Sequence, residues 1–96
     1  MNSRVLLMFQ VEFKKSAKKE IDECPLEYRA KVIEACKFLR DEPYPFRFYD
    51  VRKVAGREHI YGIRIGRYRL IYEVFKEEKL ILILKIQIKS ETIYKF

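Results

Sequence analysis

The sequence has few of the residues that bind metals or cross-link small proteins. Its 96 residues include two cysteines, Cys24 and Cys36, and one histidine, His59, which is far from both in the chain. This set fits no zinc-ligand spacing. If Pro25 lies at the turn of a helical hairpin, Cys36 lies about 15 Å down the second helix, which is too far for a disulfide. We therefore expect two buried thiols, no metal and no cofactor.

Long apolar segments are also absent. No uninterrupted apolar run exceeds five residues, as in Leu80 to Leu84, whereas a helix that crosses a bilayer needs about 20. The N-terminal segment MNSRVLLMF has no small-residue cleavage site after an extended apolar stretch. Neither a linker nor a repeat interrupts the chain. These features predict a cytoplasmic protein without membrane attachment and a single domain over residues 1–96.

Positive charge is abundant and lies mostly in the second half of the chain. The formal net charge is +7; residues 1–46 hold 9 Lys and Arg against 8 Asp and Glu, whereas residues 47–96 hold 12 against 6. Such an excess steers a polyanion, either nucleic acid or an acidic protein, towards one surface, and the alternative explanation is a solubilising surface. Many Lys and Glu beside three Asn and Gln in total are typical of a heat-adapted source.

The first half of the chain predicts one strand and two helices. Apolar residues at every second position over residues 9–13 indicate a strand with one buried face. A short helix is predicted from a cap at Ser16 to Cys24, and a longer amphipathic helix over residues 26–41. Two prolines then disfavour helical geometry, so we expect a loop over residues 41–49.

The second half of the chain predicts an antiparallel meander. Two short joins, Gly66-Arg67 and Glu77-Glu78, separate strands predicted over residues 57–65, 68–76 and 79–88. The segment VRKV is expected to pair at an edge. The apolar run at residues 80–84 predicts a central strand, whose second face is covered by a partner or by the terminal segment SETIYKF. That segment also predicts a last helical turn, and the whole pattern is typical of an α+β fold with a helical hairpin on a sheet.

Two arginines are predicted to lie side by side on this sheet. If residues 66–67 form a two-residue turn, Arg64 pairs with Arg69 on one face. Like charges in this position destabilise a sheet. The pair is therefore either relieved by nearby Glu58 and Glu73, as on a solvated salt-bridged face, or kept as a clamp for a phosphate, which guanidinium groups bind in a bidentate manner.

Two further side chains are candidates for chemistry. Tyr94 follows Lys89 in a polar terminal stretch, where a tyrosine stacks on an exposed base, transfers a proton or simply closes the end of the sheet. His59 is the residue type best suited to general base catalysis at neutral pH, but a lone histidine is more often structural. We assign His59 no role.

Four segments, taken in order, resemble the RelE/ParE superfamily of bacterial and archaeal toxins from type II toxin–antitoxin systems. These are VEFKKSAKKEID, PLEYRAKVIEACKFLRDEPYPF, VRKVAGREHIYGIRIGRYRLIYEV and KSETIY. The most specific is YGIRIGRYRLIYEV, which is similar to that family's hairpin around Gly-x-Tyr-Arg. The resemblance runs from Phe9 to Tyr94. It implies a RelE-like toxin of the archaeal type that cleaves messenger RNA in the ribosomal decoding site without a metal.

The resemblance also implies a catalytic set, which comprises Arg64, Arg69, Lys89 and Tyr94. In the RelE branch a ribose 2′-hydroxyl attacks the neighbouring phosphate, so the phosphate charge must be stabilised and the leaving 5′-oxygen protonated. Arg69 and Lys89 are expected to hold the phosphate. Arg64 is expected to assist the base or the leaving group, and Tyr94 to stack or to transfer a proton.

The chain departs from the family pattern at Gly62 and Ser90, where relatives often have basic residues. The smaller basic set leaves three alternatives open: slower catalysis, orientation entirely by ribosomal RNA, or no catalysis. A noncatalytic basic RNA-binding domain is a further alternative function. We expect Lys53 and Arg67 to add contacts to RNA. The ParE branch of the superfamily implies another function, the poisoning of DNA gyrase. Both branches imply an acidic, partly disordered antitoxin, RelB-like in the first case, that covers the sheet and helices.

Overall fold

A computed structural model describes residues 8–88. Its elements are strand β1 (Gln10–Phe13), helices α1 (Lys15–Glu23) and α2 (Leu26–Asp41), and strands β2 (Asp50–Lys53), β3 (Ile60–Ile65), β4 (Tyr68–Phe75) and β5 (Leu80–Ile88). The predicted α+β fold, with a helical hairpin before a meander, is confirmed. The predicted C-terminal helical turn lies outside the described residues. Neither described helix is both long and apolar enough to span a bilayer.

The described strands form one sheet in the order β1-β5-β4-β3-β2. Strands β3, β4 and β5 are the predicted antiparallel meander, and β2 pairs with β3 at one edge, as expected for the VRKV segment. Strand β1 lies parallel to β5 at the other edge, with Gln10 opposite Leu80 and Phe13 opposite Ile83. Strand β5 is therefore an interior strand, as its apolar run predicted.

Both faces of the sheet bury apolar side chains, but to different extents. The helices cover one face, where the larger core includes Ala17, Ile21, Val32, Ala35, Leu39, Ile63, Leu70, Tyr72, Ile81 and Ile83. A smaller cluster on the other face contains Ile60, Ile71 and Leu84. Leu84 is an extra residue in β5, because Ile71 pairs with Lys85 while Tyr72 pairs with Ile83. The prediction that a central strand is apolar on both faces is confirmed.

The predicted cap at Ser16 is wrong. Helix α1 begins at Lys15, and Lys14 occupies the capping position without a side-chain hydrogen bond. The backbone N–H of Lys14 donates to the carbonyl oxygen of Ile83 at 2.8 Å. This last bond between the first strand and β5 holds Lys14 in place, so the helix starts directly after it.

The predicted start of the strand over residues 57–65 is also wrong. Strand β3 begins at Ile60 instead of residue 57, because Gly56 and His59 have φ values of 76° and 67° and turn the chain. The backbone N–H of Val54 donates to the carbonyl oxygen of Ile60 at 2.9 Å and closes this loop. His59 is therefore an exposed loop residue and does not lie within a strand.

The junction of the two helices is held by Arg29. Its guanidinium donates to the carbonyl oxygens of Ile21, Asp22 and Cys24 at 3.2, 2.6 and 3.1 Å. These carbonyls lie at the end of α1, where backbone donors are few, although Ile21 also accepts from the backbone N–H of Cys24 at 3.2 Å. Cys24 and Cys36 are buried free thiols, as predicted. Burial raises the pKa of both thiols, that of Cys36 to about 12.

The turn between β3 and β4 requires glycine at Gly66. Its φ is +57°, and a Cβ built on it lies 2.6 Å from Cε1 of Tyr28 on α2. The ring of Tyr28 packs against that of Tyr68, with centroids 4.7 Å apart. The turn has the predicted two-residue length and places Arg64 directly opposite Arg69.

Candidate nucleic-acid interface

A cleft of about 230 Å³ lies on the sheet face opposite the helices. Its charged lining residues are Asp50, Arg52, Lys53, Arg64 and Arg69, and its uncharged lining residues are Val54, Ala55, Gly62 and Ile71. Among these described residues four are cationic and one is a carboxylate. The cleft, termed the basic cleft below, therefore attracts anions.

Strand alternation explains why Arg64 and Arg69 reach the basic cleft. Ile63 and Ile65 belong to the core under the helices, so the side chain of Arg64 between them projects from the opposite face. Arg69 is opposite Arg64 on one side, and Asp50 is opposite Arg64 on the other. Paired residues in a sheet share a face, so these three charged side chains form one row across β2, β3 and β4.

A second row of the same face forms the middle of the cleft. Arg52 pairs with Gly62, and Gly62 pairs with Ile71 on its other side. Because Gly62 has no side chain, the floor is low at this point. A Cβ there has one neighbour within 4 Å, Cδ1 of Ile71 at 3.2 Å.

Asp50 relieves part of the repulsion among the arginines. Its Oδ2 lies 3.8 Å from Nε of Arg64, and its Oδ1 accepts a hydrogen bond from Nε of Arg52 at 3.3 Å. The side chains of Arg64 and Asp50 are 39% and 42% exposed, so this is a loose surface contact. The sequence predicts Glu58 and Glu73, and not Asp50, as the relieving carboxylates. Glu58 instead lies in the β2–β3 loop.

The structure brings together some of the predicted site residues. Arg64, Arg69 and Lys53 all line the basic cleft. Arg67 is exposed in the β3–β4 turn and does not line the cleft, so its role in RNA binding stays a prediction. Lys89 and Tyr94 lie outside the described residues.

Sequence reasoning missed two charged residues of the basic cleft. Asp50 and Arg52 belong to the short edge strand β2, in which the sequence predicts a role for Lys53 alone. The alternation of Asp50 and Arg52 about the buried Val51 is the local signal that could have grouped them. Their proximity to Arg64 follows only from the pairing of β2 with β3.

The arrangement is suited to holding a phosphate through its cations. Within residues 8–88 no group of three or more His, Cys, Asp or Glu side chains is placed to bind a metal ion. His59 is exposed, with Nε2 3.8 Å from Oε2 of its neighbour Glu58. The chemistry that the described residues of this face offer is the binding and charge neutralisation of an anion.

Comparison with known proteins identifies the family. Residues 11–93 match the family described as ParE toxin of type II toxin–antitoxin system, parDE. The chain therefore belongs to the ParE/RelE family of type II toxin–antitoxin toxins, as the sequence segments indicated.

Individual relatives agree with this assignment. RelE1 of Methanocaldococcus jannaschii is 30% identical over 89 residues, which cover 93% of this chain and 98% of that protein. The archaeal RelE–RelB complex of Pyrococcus horikoshii OT3 matches with a TM-score of 0.79 and 30% identity, over 88% of this chain and 99% of that one. The RelBE2 complex of Mycobacterium tuberculosis matches with a TM-score of 0.67 and 28% identity, over 88% and 94%.

Proposed function

We propose that this toxin is a ribosome-dependent messenger-RNA endonuclease that inhibits translation. The observation that carries the proposal is the direct opposition of Arg64 and Arg69 in the basic cleft. The repulsion between two adjacent guanidinium groups, which Asp50 relieves in part, favours the binding of an anion beside them. A phosphate of the RNA backbone has the charge and the geometry to occupy that position.

The reaction proposed is attack by a ribose 2′-hydroxyl on the adjacent phosphate. The phosphate gains negative charge in the transition state, and Arg69 on β4 stabilises that charge. Arg64 assists the departure of the 5′-oxygen or the base that removes the hydroxyl proton. Lys89 and Tyr94, assigned through the family resemblance, add a second phosphate contact and a stacking surface for a base.

The ribosome would orient the RNA for this reaction. Among the described residues, the lining of the basic cleft contains one exposed carboxylate and no histidine. Precise orientation of the 2′-hydroxyl therefore falls to the ribosome. Lys53, at the rim of the cleft, and Arg67, in the turn, add contacts to the RNA backbone.

We also propose a RelB-like antitoxin as the partner of this toxin. The P. horikoshii relative forms a RelE–RelB complex. An acidic segment of such an antitoxin is complementary in charge to the four cations of the basic cleft. Occupation of the cleft by that segment excludes RNA.

Primer extension on translated messages tests the endonuclease function. We expect cuts at fixed positions within codons, and a loss of cleavage rate of about 100-fold in Arg69→Ala, because one stabilising donor is removed. Lys37→Ala, on the exposed surface of α2, removes the same charge on the helix side of the sheet and is the matched control. Intact messages in a translating extract that contains the active toxin would reject the proposal.

A second candidate is poisoning of DNA gyrase, which the match to the ParE description favours. This function predicts inhibited supercoiling by purified gyrase. Unchanged supercoiling at high toxin concentration removes this candidate. A passive RNA-binding domain differs from both, since its affinity falls with salt but no cleavage appears.

A further inference from the structure

The basic cleft has an open position at its centre. Gly62 lies between Arg52 and Ile71 in the sheet and has no side chain, and the one atom among the described residues within 4 Å of a Cβ built there is Cδ1 of Ile71 at 3.2 Å. Arg52 is the charged neighbour of this position. Its side chain lines the cleft and is 78% exposed, so it has room to extend over Gly62.

Asp50 contacts both arginines, with a hydrogen bond from Arg52 at 3.3 Å and a looser ion pair with Arg64 at 3.8 Å. The contact to Arg52 and the closest contact to Arg64 are each made through Nε, the guanidinium nitrogen nearest the backbone. A carboxylate held at Nε leaves the terminal amino groups of a guanidinium for another acceptor. Asp50 is two residues before Arg52 and directly opposite Arg64, so one carboxylate links the two strands that carry these arginines.

We propose that Arg52 is a phosphate-binding residue and that Asp50 is a positioning residue that holds Arg52 and Arg64 as two arms of one anion site over Gly62. The ligand is a backbone phosphate of single-stranded RNA, so the inference rests on the proposed function. An exposed arginine loses rotamer freedom when it binds. Asp50 restricts both side chains beforehand and lowers that cost.

The test measures binding separately from cleavage. The probe is a single-stranded RNA with 2′-O-methyl groups, which lacks the attacking hydroxyl, and its affinity is measured between about 50 and 200 mM salt. Arg52→Gln keeps an unbranched polar side chain with the first three carbons of arginine and removes the guanidinium and its charge, and Lys37→Gln is the matched control on the helix side. We expect Arg52→Gln to weaken binding about tenfold and to reduce the salt slope by about 0.7. Lys37→Gln is expected to change the affinity by less than about twofold.

The role of Asp50 is tested by coupling. If Asp50 positions Arg52, the cost of Arg52→Gln falls from about tenfold to less than about threefold when Asp50→Asn is already present. If Asp50 merely competes with the RNA as an internal anion, Arg52→Gln costs at least as much in that background. This second result would overturn the positioning role.

Relocation of the charge gives an independent check. Gly62→Lys in the Arg52→Gln protein should restore affinity to within about threefold of the unsubstituted toxin, because the new ammonium occupies the same open position. The flexible end of Ile71 must move by a few tenths of an ångström to admit the new Cβ. Equal affinities of the unsubstituted and Arg52→Gln proteins would overturn the role of Arg52 alone. Absence of RNA binding by the unsubstituted toxin would overturn the anion site as a whole, whereas intact messages in a translating extract would overturn the proposed function.

Discussion

Replacement of Gly66 by alanine tests how firmly the hairpin that carries Arg64 and Arg69 is fixed. The left-handed backbone at Gly66, with φ +57°, costs a residue with a Cβ about 1 kcal/mol. The new methyl group also lies 2.6 Å from Cε1 of Tyr28. That ring must then move from Tyr68, and the loss of this aromatic pair costs about 1 kcal/mol more. We expect Gly66→Ala to lower the free energy of unfolding by about 2 kcal/mol.

Gly56→Ala is the matched control for this experiment. Gly56 has φ +76° but no atom within 4 Å of an added Cβ, so its replacement should cost only the backbone contribution, about 1 kcal/mol. Urea unfolding followed by circular dichroism gives both values by linear extrapolation. In a Tyr28→Ala background the ring is absent, and the cost of Gly66→Ala should fall to that of Gly56→Ala. Equal losses for the two glycine variants in the unsubstituted protein would refute the argument from Tyr28.

Two further predictions concern the helical hairpin. Arg29→Met should lower the free energy of unfolding by about 2 kcal/mol, because it removes charged hydrogen bonds to the end of α1. The control Lys31→Met, which removes an exposed 3.9 Å ion pair, should lower it by less than about 0.5 kcal/mol. Similar losses for the two variants in urea unfolding would contradict the role of Arg29. The free energy of unfolding should also fall as the pH rises above 9.0, because the Cys36 thiol of the unfolded chain then ionises. In the folded protein, burial raises the pKa of this thiol to about 12 and keeps it protonated. Urea unfolding at several alkaline pH values should show a shallower fall for Cys36→Ala, and parallel curves would disprove this contribution.

Local sequence patterns predicted the elements whose bounds depend on nearby residues. The helix over Leu26–Asp41 was predicted with its observed bounds, since its apolar spacing is regular and prolines flank it on both sides. The opposition of Arg64 and Arg69 was also predicted, because strand alternation and a two-residue turn together determine it. Where distant segments meet, local patterns were less reliable. Ser16 was assigned as a cap although a backbone bond from Lys14 to Ile83 determines where α1 begins.

The sequence by itself determined the strand and helix pattern, the basic character of the second half, and the pairing of the two hairpin arginines. All three depend on residues close together in the chain, whose spacing and charge are independent of the rest of the fold. Only the tertiary structure placed β1 beside β5 and added Asp50 and Arg52 to the basic cleft. Pairing between distant segments is selected by the burial of the whole core. No short stretch of sequence contains that information.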